Sequence, residues 1–330
     1  MARAKLAGVQ DGFTFDEPIG EDAAYLKQQL ITYIGNKRTL LGPIGEAVEA
    51  VRDRLGQPRL RILDAFSGSG VVARSFKRSA TELIVNDIEA YSGVIGRCYL
   101  TNRCDYPEGA VSEAISRLNA LVDCGEPVDG LFSRLYAPAN EDAITPNDRV
   151  FYTRENARRL DGYRQLIGLE RLEVRDWLLG PLLSEASIHA NTAGVFKGFY
   201  KDTATGLGSF GGSGANALDR IRGQIRLSEP VLSAYDSQVE VFQEEANSLV
   251  SKVGDLDLAY FDPPYNQHPY GSNYFMLNLL VQYQEPTEVS RVSGIPVDWQ
   301  RSGYNDKGAI TSAHQRSGGA NRRKVHCPLV

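Results

Sequence analysis

The chain has 330 residues, 42% of them hydrophobic and 23% charged, the balance of a globular protein with one large domain or two modest ones. A formal net charge of −5 argues mildly against a protein that coats nucleic acid with its whole surface. It is compatible with DNA binding by one local face. The N-terminal sequence has no apolar secretory region, no apolar run is long enough for a membrane span, and the four cysteines form no C-x-x-C pair. We therefore expect a cytoplasmic protein with reduced thiols, no membrane association and no metal.

The first ordered segment is expected after a flexible lead that ends near Leu30. The stretch "TYIGNKRTLLGPIGEAVEAVRDRL" begins with a turn at Gly35 and Asn36, and Pro43 is tolerated near a helix start. Apolar residues then recur at helical spacing, namely Leu40, Leu41, Ile44, Val48 and Val51. This spacing predicts an amphipathic helix.

The next stretch, "LRILDAFSGSGVVARSFKRS", predicts a strand, a tight turn and a helix. Residues 60–65 form a short apolar run, Gly68 and Gly70 provide the turn, and residues 71–76 open the helix. A second strand at residues 82–86 follows and ends at Asp87. A strand-turn-helix-strand unit of this kind opens a doubly wound, mostly parallel α/β sheet.

Further along the chain, residues 91–122 have a helical pattern. Residues 127–230 differ in character, with clustered arginines and a glycine-rich stretch at 206–214, and we interpret them as an inserted module. The stretches "QVEVF" and "LDLAYF" predict two more strands, and residues 272–283 predict a helix.

The glycine turn after the first strand is a candidate ligand site. Gly68 and Gly70 allow close approach of the backbone to a ligand, and Asp87 is placed to bind the two hydroxyls of a ribose. No Gly-Lys-Ser/Thr follows, and Ala73 stands where a dinucleotide fingerprint has its third glycine. A ligand with a ribose and no pyrophosphate fits best, and S-adenosylmethionine is the main candidate. The simpler alternative is a tight turn without a ligand.

The quartet Asp262-Pro263-Pro264-Tyr265 follows the last predicted strand. Proline cannot continue the hydrogen-bond ladder, so the strand must end there, at the edge where α/β sheets bind ligands. The Asp262 carboxylate and the Pro263 carbonyl can each accept one N–H of an exocyclic amine, which raises the nucleophilicity of its nitrogen. Tyr265 offers a stacking face for a flipped base. The alternative is an ordinary proline turn.

Three blocks in this order resemble a known family. "YIGNKRTLLGPI", "LDAFSGSG" and "YFDPPY", with a long insert between the second and third, resemble the D12 class of adenine-N6 DNA methyltransferases, and "NTAGVFKGFYK" also resembles some of its restriction-associated members. The resemblance covers roughly residues 32–301. It implies a Rossmann-like methyltransferase fold, S-adenosylmethionine as the methyl donor, and N6 methylation of a flipped adenine in double-stranded DNA. A monomer that acts in a restriction-modification system, with a cognate restriction endonuclease as a further partner, is also expected.

The resemblance implies a role for each matching position. The residues that contact S-adenosylmethionine would be Tyr33, Lys37, Asp64, Phe66, Gly68, Asp87 and Asp262. The catalytic residues would be Asp262, Pro263 and Tyr265. Phosphate contacts are expected from Arg154, Arg158, Arg159, Lys197 and Lys201, and support for the base or its orphaned partner from Phe196, Phe199 and Tyr200.

The predicted domain organisation is discontinuous. A lead (1–30) precedes a catalytic domain (31–126 and 231–300) that is interrupted by a target-recognition insert (127–230), and an atypical basic tail (301–330) follows. The tail lacks apolar patterning, so we hypothesise that the chain is truncated or frameshifted between Asn305 and Gly308, with C-terminal strands missing. The alternative is a native tail that contacts DNA.

Two other functions remain open at this point. The same amine chemistry serves methylation of cytosine N4 or of RNA. If the C-terminal strands are missing, the chain is instead a DNA-binding remnant without turnover.

Overall fold

The computed structural model describes residues 20–35, 37–212, 215, 217–264, 269–299 and 301. Tyr265 and the segment from Asn305 to Gly308 lie outside the described residues. Within them the helices are α1 (Ala23–Lys27), α2 (Leu41–Leu55), α3 (Val71–Phe76), α4 (Ala90–Tyr99), α5 (Glu108–Cys124), α6 (Leu131–Leu135), α7 (Arg154–Leu169), α8 (Leu172–Ile188), α9 (Leu218–Arg222), α10 (Ala246–Val250), α11 (Tyr270–Asn273) and α12 (Phe275–Gln282). The strands are β1 (Leu60–Asp64), β2 (Ala80–Asn86), β3 (Gln238–Phe242) and β4 (Leu258–Tyr260).

The four described strands form one all-parallel sheet in the order β3-β2-β1-β4. In its centre Leu63 of β1 lies between Ile84 of β2 and Ala259 of β4. The chain moves outward from β1 to β2 and β3, and then returns to the other side of β1 with β4. This order confirms the predicted α/β parallel sheet. The strand order reverses between β1 and β4, which is where ligands bind in such sheets.

Both faces of the sheet are covered, as parallel sheets require. Side chains alternate along each strand, so that Leu60 and Ile62 of β1 pack toward α2 and α3. Leu63 faces the opposite side, where Leu249 of α10 and Ala259 pack against it. The apolar runs that predicted these strands are therefore divided between two core layers.

The region predicted as an insert is built into a larger helical core. Helices α7 and α8 pack on α4, α5 and α12, and their buried side chains form one continuous cluster with those of the catalytic part. Gly180 of α8 makes a close approach to α4, because an added Cβ there would lie 2.5 Å from the Cys98 sulfur. Cys98 is itself fully buried.

The lead is structured where it is described, and the expectation of a flexible segment is corrected for residues 20–30. Tyr25 of α1 is completely buried, and its hydroxyl donates to the Tyr99 carbonyl at 3.0 Å. The buried guanidinium of Arg74 donates to the Tyr25 carbonyl and to the Gln28 carbonyl. Burial of one large aromatic ring holds this five-residue helix, which is too short to show periodicity.

The helical stretch at 91–122 is divided into α4 and α5, with Pro107 immediately before α5. No helix within the described residues combines the length and the apolar character that crossing a membrane requires.

Candidate active site

The candidate site lies where β1 and β4 end side by side. Asp64, the last residue of β1, pairs in register with Tyr260, the last residue of β4. A pocket that is open to solvent on one side lies beyond these ends, and its cavity volume is about 60 Å³. Its lining comes from the N-terminal block, all four strand ends and α11: Tyr33, Gly35, Lys37, Asp64, Phe66, Ser67, Gly68, Ser69, Val71, Val72, Asn86, Asp87, Ile88, Glu89, Glu244, Glu245, Ala246, Tyr260, Asp262, Pro264 and Tyr270.

The glycine turn has the conformation that its sequence predicts. Gly68 and Gly70 adopt left-handed backbone angles, with φ of 52° and 73°. A Cβ on Gly68 would lie 2.8 Å from the Tyr33 hydroxyl oxygen, so any larger residue would require the Tyr33 ring to move. The Tyr33 ring stacks on Tyr270 and Tyr274, with centroids 5.0 Å and 4.7 Å away. The N-terminal block and the segment after the Asp-Pro-Pro motif therefore form one aromatic wall.

Asp87 is fixed by the turn that faces it. One of its oxygens accepts the Gly68 N–H at 2.7 Å and the other accepts the Glu89 N–H at 3.0 Å. Burial raises the pKa of Asp87 to about 6, and these backbone donors oppose the shift. The carboxyl is thus held rigidly at the pocket, with further lone pairs for a ligand.

Asp64 is buried with one oxygen unsatisfied. The Phe66 N–H approaches one oxygen at 3.4 Å, and the other has no hydrogen-bond partner among the described residues. Burial raises the pKa of Asp64 to about 8, and the neighbouring carboxylates of Asp262 and Asp87 add to the rise. A buried carboxyl oxygen without a donor is a site for a cationic or N–H-bearing group.

The Asp-Pro-Pro motif brings a carboxylate to the same pocket from β4. The Lys37 ammonium lies 3.0 Å from an Asp262 oxygen, and both side chains are mostly buried, at 16% and 28% exposure. Residues far apart in the sequence are thus joined by an ion pair at the pocket. Pro263 follows Asp262, and Tyr265 lies outside the described residues.

Several lining residues were not identified as site residues from the sequence, among them Glu89 and three residues after β3. Glu89 is the residue immediately before α4 and is 3% exposed, and its side chain accepts the Asn278 amide N–H at 2.5 Å. Glu244, Glu245 and Ala246 follow β3, just as Asp87 follows β2. The rule that ligands bind beyond the carboxyl ends of parallel strands would have identified this third strand end.

The arginines predicted to contact phosphate are engaged within the protein. Arg154 and Arg158 both pair with Asp129 at 2.8 Å, and Arg154 also donates to the Ser133 carbonyl. Arg159 is 6% exposed and binds Asp123 and the Ile225 carbonyl. These bonds stabilise α7, and they leave Arg159 no exposed face for a phosphate.

The lysines and aromatic residues before the glycine-rich stretch are divided between surface and core. Lys197 and Lys201 are exposed, and the Lys201 ammonium lies 5.4 Å above the Phe199 ring. Phe196 is 3% exposed and packs in the helical core against Phe151. Tyr200 and Phe199 are half-buried, so these two remain the accessible aromatic residues of this segment.

The fold and the site together define a class. A parallel α/β sheet with a glycine turn after β1, an acidic residue after β2 and an Asp-Pro-Pro motif after β4 is the arrangement of a Rossmann-like methyltransferase. The family model described as "D12 class N6 adenine-specific DNA methyltransferase" matches residues 33–294. The chain belongs to this family, as its sequence blocks predicted.

Similar proteins include two of comparable length. "Type II methyltransferase M.NlaIII" of Neisseria lactamica is 28% identical over 294 residues, which cover 85% of this chain and 77% of that protein. "Type II methyltransferase M.CviAII" of Paramecium bursaria Chlorella virus 1 is also 28% identical over 294 residues, 87% of this chain and 78% of that protein. "Modification methylase LlaI" of Lactococcus lactis subsp. lactis is 28% identical over 286 residues, but the match covers only 42% of its length.

Proposed function

We propose that this chain is a site-specific DNA methyltransferase that transfers a methyl group from S-adenosylmethionine to N6 of an adenine flipped out of duplex DNA. The main support for this proposal is that the carboxyl ends of β1 and β4 lie side by side. Asp262 and Pro264 follow β4 and border the same pocket as the glycine turn of β1, with Pro263 between them. A pocket for a ribose-bearing donor and a pair of acceptors for an exocyclic amine are therefore adjacent.

The pocket suits S-adenosylmethionine in its polar groups. We propose that Asp87 accepts the ribose hydroxyls, while the unsatisfied Asp64 oxygen accepts the ammonium of the methionine part. The Tyr33 face and Phe66 would border the ligand, and Gly68 permits close approach. When bound, S-adenosylmethionine supplies an electrophilic methyl group on a positively charged sulfur.

We propose that two hydrogen-bond acceptors of the chain activate the adenine amine. The Asp262 carboxylate takes one N–H of the adenine amine and the Pro263 carbonyl takes the other, so that the nitrogen lone pair is drawn out of conjugation with the ring. Lys37, 3.0 Å from Asp262, orients the carboxylate before DNA binds. Tyr265 is proposed to stack on the flipped base.

Residues 127–230 are proposed as the target-recognition region. Within it, Lys197 and Lys201 are exposed and supply phosphate contacts. Arg154 and Arg158 are proposed to contribute less to phosphate binding, because their ion pairs with Asp129 would have to be broken first. Residues 301–330 form the proposed tail, whereas residues 20–30 of the predicted lead (1–30) pack against the rest of the protein through Tyr25.

The names of the similar proteins support a biological setting. They include type II methyltransferases and a modification methylase, so we propose that this chain protects DNA within a restriction-modification system, beside a cognate endonuclease. We further propose that the chain acts as a monomer in the cytoplasm.

The test is transfer of labelled methyl from S-adenosylmethionine to unmethylated genomic DNA, with nucleoside analysis of the product. The proposal requires labelled N6-methyladenine, and no label when RNA replaces DNA. N4-methylcytosine would instead identify a different amine as the target. A folded protein that binds DNA and transfers nothing would favour the remnant without turnover. Asp262→Ala, prepared in the same way, controls for contaminating activity.

A further inference from the structure

A groove separate from the pocket runs along α7, and no described residue lines both of them. Its cavity volume is about 790 Å³. The α7 residues that line it recur at helical spacing, from Arg154 through Arg158, Gly162 and Leu166 to Leu169, so one face of the whole 16-residue helix borders the groove. At a rise of about 1.5 Å per residue, this face is about 24 Å long. We call this feature the α7 groove.

The α7 groove has apolar side chains that solvent reaches. Leu169, at the end of α7, is 84% exposed, and Leu121 of α5 is 49% exposed. Val122 and Leu166 also line the groove and are half-buried against the helical core. Single exposed leucines are common on protein surfaces, but several apolar side chains around one groove mark a binding surface.

The arginines of the α7 groove are already neutralised. Arg154 and Arg158 both pair with Asp129, and Arg159 pairs with Asp123. These three are the basic residues of the described lining. The groove therefore offers no unpaired positive charge to an anionic ligand.

The carboxylates of the α7 groove are not neutralised to the same extent. Glu126, Glu141 and Glu155 line it, and none of them forms an ion pair with a residue that the structure describes. Glu141 accepts the backbone N–H of Arg154, Glu155 accepts the amide of Gln224, and Glu126 is exposed in the loop after α5. The unpaired charge of the groove is negative.

Charge and shape together decide which occupant fits. Unpaired carboxylates repel the phosphates of nucleic acids and lipids, and they attract lysine and arginine side chains. Small ligands are enclosed over most of their surface, whereas an amphipathic helix lies lengthwise in a groove and leaves its polar face in solvent. A groove as long as α7, with exposed leucines and unpaired carboxylates, fits a basic amphipathic helix.

We propose that the α7 groove is a docking site for a partner protein, which inserts an amphipathic helix with apolar side chains on one face and lysine or arginine beside them. The inference is independent of methyl transfer, because it uses no residue that lines the pocket. A partner held there contacts none of the residues assigned to the cofactor.

A synthetic helix tests the docking site with the full chain. The probe is a fluorescently labelled peptide of leucine and lysine, about 14 residues long, with its leucines at helical spacing. One comparison peptide has the same composition with the leucines out of helical spacing, and another has glutamate in place of lysine. Fluorescence anisotropy should give a Kd of about micromolar order for the probe and at least about tenfold weaker binding for both comparison peptides.

Leu169→Ser locates the binding in the groove. It removes the most exposed apolar side chain of the lining and should weaken binding of the probe about tenfold. Leu172→Ser is the matched control, because Leu172 begins α8, is 73% exposed and lies outside the groove lining. Both side chains are exposed, so both variants should fold, and Leu172→Ser should bind the probe as the wild-type protein does.

Glu126→Gln tests the contribution of charge. It should weaken binding of the probe about two- to threefold at low salt and reduce the loss of affinity on adding salt. Glu173→Gln is the control, because Glu173 is exposed on α8 and lies outside the groove lining, so its loss should change the affinity less than that of Glu126.

Three results would overturn the inference. Equal binding of the probe and of the peptide with leucines out of helical spacing would show adsorption of cations to an acidic protein. An affinity that Leu169→Ser leaves unchanged, or that Leu172→Ser lowers equally, would exclude the groove as the binding site. Loss of affinity for duplex DNA in Leu169→Ser, with peptide binding retained, would assign the groove to DNA instead.

Discussion

Gly68 lines the pocket, and a methyl group added at this position should interfere with ligand binding. Its backbone is left-handed, and an added Cβ would meet the Tyr33 hydroxyl at 2.8 Å. We predict that Gly68→Ala weakens S-adenosylmethionine binding at least about tenfold, measured by calorimetry, because the Tyr33 ring must move from its stack.

Gly56→Ala is the control for backbone strain. Gly56 ends α2 with φ of 62°, and nothing lies within 4 Å of an added Cβ. It should lose about 1 kcal/mol of stability to the left-handed conformation and keep its ligand affinity. Equal binding losses in both variants would show that strain, and not collision with Tyr33, is responsible.

The buried carboxyl of Asp64 should make the stability of the protein depend on pH. Its pKa of about 8 in the folded state exceeds the ordinary value, so the folded protein retains a proton that the unfolded chain releases above about pH 4. The contribution of Asp64 to the free energy of unfolding is therefore full below pH 4, falls between pH 4 and 8, and is lost above about pH 8. Asp64→Asn, neutral throughout, should flatten this fall in urea titrations at pH 5 and 8 without ligand.

The matched variant for this measurement is Asp123→Asn. Hydrogen bonds from Arg159 and Arg226 lower the pKa of Asp123, so its titration lies below pH 5 and its loss should shift stability equally at both pH values. A wild-type slope retained in Asp64→Asn would contradict the account of a protonated Asp64.

At the scale of elements, Asp161 of α7 joins two helices that flank the core. Its fully buried carboxylate accepts the N–H groups of Gly130, Phe132 and Ser133 at the start of α6. It also accepts the hydroxyl of Tyr283 at the end of α12. We predict that Asp161→Ala lowers the free energy of unfolding by about 3 kcal/mol, because these buried donors lose a charged acceptor that they share.

Asp129 provides the comparison in the same urea measurement. It lies on the surface of the same region and pairs with Arg154 and Arg158. Asp129→Ala should change stability little, because exposed ion pairs are screened by water. Similar losses in the two variants would contradict the assignment of Asp161 as the buried link.

The elements that were predictable from sequence are those with local signals. The unit from β1 to β2 was identified because apolar runs are bounded by Gly68, Gly70 and Asp87. Helix α1 was missed, because the burial of Tyr25 depends on Arg74 and Tyr99, which are distant in sequence. Glu89 was missed for a similar reason, since one glutamate at a helix start is also typical of an ordinary surface position.

At the scale of the molecule, the helices of the proposed recognition region share a core with the catalytic part, so a DNA-binding face formed there would be held rigidly relative to the pocket. We predict that Lys197→Ala and Lys201→Ala each weaken DNA binding at every sequence tested. Each should reduce the slope of log affinity against log salt by about one. Arg154→Ala and Arg158→Ala should change this slope less, because Asp129 already binds both side chains. The reverse order of effects would move the phosphate contacts to α7.

The central claim is that Asp262 acts in the chemical step, and single-turnover methyl transfer with saturating S-adenosylmethionine and DNA measures this step directly. Asp262→Asn should lower the rate about a thousandfold or more while the affinity for S-adenosylmethionine changes only a few-fold. Asp257→Asn, at the opposite end of β4 where Asp257 accepts the Arg61 N–H, should retain the wild-type rate. An Asp262→Asn rate within tenfold of the wild-type rate would contradict the claim.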